Sequence, residues 1–165
     1  MASEHRAVVV RRAAAADMPV AAELFREYTA SIAHICAASF AQQNIEQELR
    51  TLPGKYAQPA GCILLAFGGG GGGGGAVGCV ALRPIEAAAH DRAGERVCEM
   101  KRLYTRPAAR GLGAGRRLCE ELIAFARGAG YTLMKLDTEP ELAAACALYR
   151  ALGFVEIPRY NDDPN

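Results

Sequence analysis

Short apolar runs alternate with longer stretches of helical periodicity along this chain, and the alternation predicts an α/β protein. Strand composition marks six stretches, namely Ala7–Arg12, Cys62–Phe67, Ala76–Leu82, Cys98–Thr105, Thr132–Asp137 and Phe154–Ile157. Helical spacing follows Asp17, Ser39, Gly115 and Pro140. Strands joined through helices are expected to pair in parallel, and strands joined by tight turns to pair antiparallel. The order therefore predicts a mixed β-sheet with helices on both faces.

Proline and glycine mark the ends of several of these elements. Pro53-Gly54 is expected to end the second helix, Arg83-Pro84 the third strand and Gly153 the last helix. The tract Gly68–Gly75 joins the second and third strands, and it lacks the lysine and helix start that follow a phosphate loop. We therefore expect a flexible hairpin loop there, without a role in chemistry.

The composition changes this picture little. The length of 165 residues suits one domain, 1–165, and the formal net charge of +1 gives no bulk attraction to nucleic acid or to an anionic membrane. The longest apolar runs are far short of a membrane span, and the N-terminus lacks the apolar core of a secretory signal. The cysteines form no C-x-x-C pair, so we expect reduced, buried thiols in a cytoplasmic protein. The spacing of His, Cys, Asp and Glu predicts no metal.

The stretch from Cys98 to Arg127 carries the strongest candidate chemistry. It is expected to form a strand, a glycine-rich turn and a helix, with Gly111, Gly113 and Gly115 at every second position. Such a turn exposes unpaired backbone N–H groups at the helix start, and the missing side chains let an anion approach them. This favours a phosphate-binding turn, although a plain tight turn has the same glycines.

Two other nucleotide-binding motifs fit this turn less well. Arg116 stands where the dinucleotide fingerprint G-x-G-x-x-G has its final glycine, although Asp137 lies about 20 residues further on, where a ribose-binding carboxylate would be. No lysine followed by Ser or Thr is present, as a nucleoside triphosphatase loop requires. The dinucleotide interpretation is weakened and stays open, whereas the triphosphatase interpretation is excluded.

Three motifs then resemble those of the GNAT superfamily of N-acetyltransferases. Arg110–Gly115 (RGLGAG) resembles its acyl-CoA pyrophosphate motif, Leu103–Pro107 (LYTRP) its L-x-V-x-P with Thr105 in place of valine, and Ala147–Phe154 (ALYRALGF) its L-Y-x-x-x-G-F. The motifs span Cys98–Phe154, and a looser match runs from Ala7 to Ile157. The resemblance implies the acyl-CoA N-acyltransferase fold, in which a mixed sheet lies between helices.

The resemblance also implies a site for acetyl-CoA as co-substrate. Backbone amides of the turn would bind the pyrophosphate, through Arg110, Gly111, Leu112, Gly113, Ala114 and Gly115. Backbone groups of Leu103 and Thr105, with Tyr104 between them, would run along the pantetheine arm like an added strand. The strands beside the site would splay to admit the thioester.

Two side chains are candidates for the catalytic chemistry that the resemblance implies. Tyr149 would be the general acid that protects the leaving thiolate, because a phenol with a pKa near about 10 can donate at neutral pH. Its alternative is to complete an apolar stripe with Leu142 and Cys146. Glu99 would be the general base for the amine, as in some members of the superfamily. Its alternatives are a strand carboxylate paired with Lys101, or proton removal through water.

The function that follows is acetyl transfer from acetyl-CoA to a primary amine by direct attack. The first two helices and nearby loops are expected to form the acceptor pocket, with Phe40, Gln42, Tyr56 and Tyr160 on its walls. A small-molecule or amino-acid-like acceptor is expected, and nothing in the sequence points to histone tails. A non-catalytic acyl-CoA-binding module or sensor is the alternative, whereas the lack of a basic and aromatic stripe disfavours nucleic-acid binding.

Two departures from the superfamily pattern bear on this function. Leu142 occupies a region where many members have an asparagine that touches the cofactor. The superfamily fold usually has one more strand after Phe154–Ile157, and the chain ends at Asn165, too soon for a turn and a full strand. That strand is then absent, supplied by a partner chain, or lost to truncation. An unpaired edge invites self-association, so a homodimer through the C-terminal sheet edge is one expectation.

Overall fold

The structure is a computed structural model that describes residues 8–68 and 75–162, apart from the side chain of Gln42. Its helices are α1 (Met18–Gln43), α2 (Ile45–Arg50), α3 (Ala114–Gly128) and α4 (Ala143–Ala151). Its strands are β1 (Val9–Arg12), β2 (Cys62–Phe67), β3 (Ala76–Ile85), β4 (Val97–Thr105) and β5 (Leu133–Lys135). The loop predicted at Gly68–Gly75 lies for the most part outside the described residues.

The strands form one sheet in the order β1-β2-β3-β4-β5. β4 and β5, joined through α3, pair in parallel, and the other neighbours pair antiparallel, so the predicted mixed sheet is confirmed. The parallel pairing expected of β1 and β2 is wrong, because they are antiparallel although α1 and α2 connect them. The connection leaves the sheet with α1 and returns through α2 to the end where β1 finished, since Arg12 pairs with Leu64 near the start of β2.

Helices cover both faces of the sheet, and each face has its own apolar cluster. On one face, Leu118 of α3 belongs to a cluster with Val80 of β3, and on the other, Phe25 of α1 belongs to a second cluster. β2 contributes to both, because Leu64 lies in the first cluster and Leu65 in the second. A strand buried on both faces is apolar at every position, which explains why the run was recognisable in the sequence.

All six cysteines are free thiols, and five of them are buried. Burial raises the pKa of Cys98 to about 12, and the same cause raises that of Cys119 to about 12, so these thiols stay protonated. Within residues 8–68 and 75–162, no group of three or more His, Cys, Asp or Glu could hold a metal ion, and no helix is long and apolar enough to cross a membrane.

Two predicted boundaries are wrong by several residues. α1 continues past Ser39, and the first two helices separate at Asn44, whose left-handed φ of 48° suits its short polar side chain. β3 continues through Pro84, because β2 pairs with it only as far as Leu82 and no hydrogen bond is then needed on that side. The first boundary thus follows from the conformation of Asn44, and the second from which strand lies beside β3.

The strand predicted at Phe154–Ile157 is also wrong, because irregular chain follows α4. Val155 and Ile157 are exposed, at 79% and 44%. The edge that this segment could join belongs to β5, whose 3 residues are at the short limit for a strand. The described sheet therefore has five strands rather than six. A homodimer through this edge stays a prediction.

β4 contains a bulge that was not predicted from the sequence. Its register with β3 shifts between Cys79 and Ala81, which pair with Tyr104 and Lys101, so β4 carries an extra residue at this point. Arg102 lies in the bulge with a φ of 61°, a left-handed value that is uncommon for a long side chain. The backbone at this position therefore needs support from its surroundings.

A buried ion pair with α2 supplies that support. Nε and Nη2 of Arg102 donate to the two carboxylate oxygens of Glu48 at 2.9 and 3.0 Å, and Nη2 also donates to Oε1 of Gln43 at 2.9 Å. Burial acts to raise the pKa of Glu48, but hydrogen bonds and charges from Arg102 and Lys55 outweigh it and lower the pKa to about 2. The pair therefore joins α2 to the bulge in β4.

Replacing Glu48 with Gln leaves Arg102 buried without its countercharge, and we expect the free energy of unfolding to fall by about 3–5 kcal/mol. The pKa of Glu48 is depressed on folding from 4.5 to about 2, so its contribution is present above pH 4.5 and is lost as the pH falls towards 2. Urea unfolding between about pH 7 and about pH 3 measures both effects, the second as a slope that Glu48→Gln removes.

The control for this measurement is Glu120→Gln, which changes the net charge by the same amount. Glu120 pairs with Arg116 at 3.5 Å on the exposed side of α3, a type of pair that contributes about 0.3–0.5 kcal/mol. Equal unfolding midpoints for the two variants would contradict the large contribution expected of the buried pair.

Candidate active site

The parallel pairing of β4 with β5 is short, and the place where it stops defines the site. The ladder joins Val97–Glu99 to Leu133–Lys135, and its last pair is Glu99 with Lys135. From Met100 to Thr105, no strand of the described chain pairs with β4 on this side. This part of the β4 backbone is therefore open to an extended ligand that pairs with it as an added strand does.

The turn after β4 leads to the first amides of α3, whereas the N–H groups of Arg110 and Leu112 donate to carbonyls within the turn at 3.2 and 3.4 Å. A 3-10 turn at Pro107–Ala109 leads to Gly111 and Gly113, whose φ angles of 77° and 79° are left-handed. A Cβ atom at either position would meet nothing within 4 Å, so the backbone angle, not crowding, requires glycine. α3 begins at Ala114, and no side chain among the described residues caps its N-terminus. The first N–H groups of the helix and its positive dipole end are therefore available to an anion.

Helix α4 lies next to this turn. A Cβ atom at Gly115 would be 3.7 Å from Cδ2 of Leu148 in α4 and 3.9 Å from Cγ2 of Thr105 at the end of β4. Leu148 and the residue after it, Tyr149, both pack against the α3 side of the core. The glycine turn, the open end of β4 and α4 therefore meet at one place.

Arg106 fixes the start of the turn to helix α1. Its guanidinium donates to the carboxylates of Glu23 and Glu27, with distances of 2.7–3.1 Å to Glu27, and its Nη1 donates to the Ala76 carbonyl at 3.0 Å. Hydrogen bonds from Arg106 lower the pKa of Glu27, so this carboxylate is charged at neutral pH. These bonds therefore fix the position of the turn relative to α1, the helix that carries Tyr28.

Two cavities open between these elements. The inner cavity, of about 70 Å³, has walls from α1, β4 and α4 that include Tyr28, Ile32, Cys36, Phe40, Lys101, Arg102, Leu103, Leu142 and Ala145. The outer cleft, of about 860 Å³, lies between α4 and the segment after it, with walls that include Arg150, Phe154, Ile157, Arg159, Tyr160 and Asn161. Asp137, Thr138, Glu139 and Tyr149 line both.

Tyr149 lies where the inner cavity and the outer cleft adjoin. Its ring packs edge-on against Phe154, with the ring centroids 5.9 Å apart. Burial raises the pKa of Tyr149 well above its ordinary value, and charge on the nearby Cys119 would raise it further. The phenol is therefore protonated at neutral pH, so it can act as a donor and not as a base.

Glu99 is fully buried at the end of the β4–β5 ladder and lines neither the inner cavity nor the outer cleft. Its Oε2 accepts from Nε of Arg83 at 2.6 Å, and its Oε1 accepts from the hydroxyl of Tyr160 at 2.9 Å. Nζ of Lys101 is 4.0 Å from Oε1 and donates instead to Oδ1 of Asp137 at 3.1 Å. A substrate in the cleft therefore reaches Glu99 only through another group.

The predicted wall residues lie in different parts of the molecule. Phe40 lines the inner cavity, and Tyr160 lines the outer cleft. Tyr56 is 1% exposed and packs edge-on against Phe25 in the core, so it lines neither space. The side chain of Gln42 lies outside the described structure. Two of the four predicted positions thus border the site.

Several residues of the inner cavity were missed from the sequence. Tyr28, Ile32 and Cys36 recur at every fourth position along α1, which places them on one face, and this spacing was a usable signal. Lys101 and Arg102 had no such signal, because the bulge places two successive residues outside the alternation of a regular strand.

Comparisons with known proteins bear on the family and the fold of this chain. The model of the acetyltransferase (GNAT) family matches residues 23–154. An uncharacterized N-acetyltransferase of Schizosaccharomyces pombe is 39% identical over 122 residues, which cover 74% of this chain and 69% of that protein. The uncharacterized N-acetyltransferase YjgM of Escherichia coli is 28% identical over 151 residues, 90% of this chain and 83% of that protein. A predicted acetyltransferase from Clostridium acetobutylicum, crystallised with acetyl-CoA, has the same fold, with a TM-score of 0.73, 14% identity and 94% coverage of each chain.

Replacing Gly113 with Ala disfavours its left-handed backbone angle by about 1–2 kcal/mol, so the free turn moves to other angles and CoA must restore the original turn. We therefore expect CoA to bind roughly 5- to 30-fold more weakly. Calorimetric titration with CoA measures the Kd. The control is Gly128→Ala at the far end of α3, where φ is not left-handed and a Cβ atom meets nothing within 4 Å. Its Kd should equal that of the unmodified chain, and the same Kd for both variants would argue against anion binding by the turn.

Proposed function

The chain belongs to the GNAT family of acetyltransferases, and from that premise we propose that it acetylates the primary amine of a small, amino-acid-like acceptor by direct attack on acetyl-CoA. Membership makes acetyl-CoA its co-substrate. The observation that carries the proposal is the meeting of the glycine turn, the open edge of β4 and Tyr149. The turn suits a diphosphate, the edge suits an extended pantetheine arm, and the tyrosine suits proton donation at the end of that arm.

The residues present fit acetyl-CoA, which supplies an acetyl group activated as a thioester. Amides of the turn Arg110–Gly115 and the dipole of α3 would hold the diphosphate, at about 0.3–1 kcal/mol for each contact and up to ~2 kcal/mol when partly buried. The exposed Arg110 adds a cation beside the turn, and its Nε donates to the carbonyl of Thr105 at 3.4 Å. The backbone of Leu103–Thr105 would pair with the amides of the pantetheine arm.

Tyr149 is the proposed general acid. The nitrogen attacks the acetyl carbon, the carbon–sulfur bond breaks, and the phenol gives its proton to the departing sulfur. Burial raises the pKa of Tyr149 and keeps the phenol protonated at neutral pH, so the hydroxyl is present as a hydrogen-bond donor when the sulfur acquires charge. If Tyr149 served only to pack against Phe154, its hydroxyl would have no effect on turnover.

The attacking nitrogen must first lose a proton. An amine with a pKa near about 10.4 is free of its extra proton in only about one molecule in 10³ at neutral pH. Glu99 is the carboxylate proposed to receive that proton, and an ordered water is the alternative. Because Glu99 lines neither the inner cavity nor the outer cleft, the first route requires an intermediary between Glu99 and the acceptor.

Charges of both signs around the outer cleft favour a zwitterionic acceptor. Asp137 and Glu139 would attract an ammonium group, and Arg159 would attract a carboxylate. Phe40 and Tyr160 would supply the less polar walls. The net charge of +1 gives no field that would concentrate a strongly cationic polymer at this surface, which favours a small molecule.

A binding module that holds acyl-CoA without turnover is the second candidate, and Leu142 favours it. Leu142 occupies the N-cap position of α4, makes no capping hydrogen bond and lines the inner cavity. A polar side chain there would offer a contact that leucine lacks. Such a protein would bind acyl-CoA and leave the thioester intact.

Thiol release separates the two candidates. The protein is incubated with acetyl-CoA and a panel of small amines and amino acids, and free CoA thiol is followed over time. We expect release that depends on the amine, fastest for acceptors with both an ammonium and a carboxylate group. Tight CoA binding without any amine-dependent release across the panel would overturn the enzyme proposal and support the module.

Replacing Tyr149 with Phe removes the proposed acid and keeps the ring that packs against Phe154. We expect kcat to fall tenfold or more, because a positioned acid typically contributes a factor of ~10². The Kd for CoA should stay unchanged. The control is Tyr131→Phe, because Tyr131 donates to the carbonyl of Ala60 at 2.6 Å and borders neither the inner cavity nor the outer cleft. A Tyr149→Phe enzyme as active as the control would leave Tyr149 with a packing role only.

A further inference from the structure

The segment after α4 places one tyrosine between Glu99 and the outer cleft. Tyr160 lines the cleft, and its hydroxyl donates to Oε1 of Glu99 at 2.9 Å. Nε of Arg83 holds the other oxygen, Oε2, at 2.6 Å, so the carboxylate is fixed with Oε1 towards Tyr160. Nζ of Lys135 is 5.0 Å from the centre of the Tyr160 ring, a contact that helps to hold the ring in place.

The groups around Glu99 differ in what they can do with a proton. Arg83 on β3 and Lys101 on β4 are cations with donors and no acceptor, and the same holds for Lys135, which pairs with Glu99 across the ladder. A phenol oxygen both accepts and donates a proton. Among these described neighbours, Tyr160 alone combines that property with a place on the wall of the cleft.

We propose that Tyr160 is a catalytic residue that relays the amine proton from the outer cleft to Glu99. The inference rests on the proposed function, because it requires an amine that is acetylated in the cleft. Tyr160 then has a role in proton transfer in addition to its place on the wall of the outer cleft. The relay also explains how Glu99, which lines neither the inner cavity nor the outer cleft, can serve the reaction.

Every proton and electron pair in this transfer has a destination. The acceptor enters as an ammonium ion, one N–H bond breaks, and that proton binds the phenol oxygen of Tyr160 while the phenol's own proton moves to Oε1 of Glu99. Tyr160 is again a neutral phenol, Glu99 becomes a neutral acid, and the nitrogen keeps the lone pair that forms the bond to the acetyl carbon. The electron pair of the broken carbon–sulfur bond stays on sulfur, which takes the proton of Tyr149. The second nitrogen proton restores Tyr149, and Glu99 returns its proton through Tyr160 to water in the cleft.

The surroundings of Tyr160 suit a relay in which the two protons move together. Burial raises the pKa of Tyr160 far above its ordinary value, and the nearby charge of Glu99 raises it further. A free phenolate is therefore absent at neutral pH. In a concerted transfer none forms, since the oxygen gains one proton as it loses the other.

Three variants test the relay: Tyr160→Phe, Glu99→Gln and the double variant. Each single change is expected to lower kcat by roughly 10²-fold or more, because it removes the proton path, while the Kd for CoA stays unchanged. The double variant should be no slower than the slower single variant, since both residues serve one transfer. A double variant whose loss equals the product of the two single losses overturns the relay, as does a Tyr160→Phe enzyme with full activity.

The unmodified chain offers a test that does not depend on any variant folding. Single-turnover rates are measured in mixtures of H₂O and D₂O with the best acceptor from the amine panel. Two protons in motion give a curved dependence of the rate on the deuterium fraction, and one proton gives a straight line. A straight line for the unmodified chain overturns the relay.

Asn161→Ala is the control for a merely structural effect of this segment. Nδ2 of Asn161 donates to Oδ2 of Asp137 at 3.3 Å, so the variant removes a neighbouring contact and keeps the phenol of Tyr160. We expect a raised KM for the acceptor with little change in kcat. If Asn161→Ala lowers kcat as far as Tyr160→Phe, the position of the segment decides the rate and the relay is wrong. No turnover by the unmodified chain with any amine would overturn the proposed function itself, and the relay with it.

Discussion

The site depends on the place where β4 loses its parallel partner. Backbone N–H and C=O groups in a protein need hydrogen-bond partners, and β5 supplies them to β4 only as far as Glu99. The bulge at Arg102 reinforces the break, because an extra residue prevents a regular ladder from continuing. The rest of β4 therefore keeps one edge for a ligand, and the chain leaves that edge directly into the turn at Gly111 and Gly113. One interruption in the sheet thus aligns a strand edge that suits an extended ligand with a glycine turn that suits an anion.

Buried charges gather at the same place, and stability alone does not account for them. Replacing a buried ion pair with apolar residues of the same volume often leaves the free energy of unfolding unchanged, because the cost of desolvation cancels most of the attraction. Position explains two of the pairs, because Lys101, Asp137 and Arg102 give the wall of the inner cavity fixed polar groups that carry their own countercharges. Four pairs lie near the point where the β4–β5 ladder stops: Arg83 with Glu99, Lys101 with Asp137, Arg102 with Glu48, and Lys135 with Asp91.

Features with a local cause were predictable from the sequence, and features with a tertiary cause were not. The bounds of β2 were predicted correctly because burial on both faces makes Cys62–Phe67 apolar throughout. The left-handed angles at Gly111 and Gly113 follow from a local requirement for glycine. The antiparallel pairing of β1 with β2, the passage of β3 through Pro84 and the irregular chain after α4 depend instead on which strand lies alongside. The charged walls were missed for the same reason.

The affinity for the co-substrate cannot come from the glycine turn alone. A Kd of 1 μM corresponds to about −8.2 kcal/mol, whereas contacts between a helix end and an anion contribute about 0.3–1 kcal/mol each, and up to ~2 kcal/mol when partly buried. The turn is exposed from Arg110 to Gly113, which places its contacts at the lower end of this range, and the net charge of +1 adds no general attraction. In the proposed binding mode, most of an affinity of that size would come from the pantetheine arm along β4 and from apolar contacts with α4. An exposed turn that sets the position of the diphosphate, and a half-buried strand edge that supplies the affinity, would together deliver the thioester to Tyr149 in a fixed orientation.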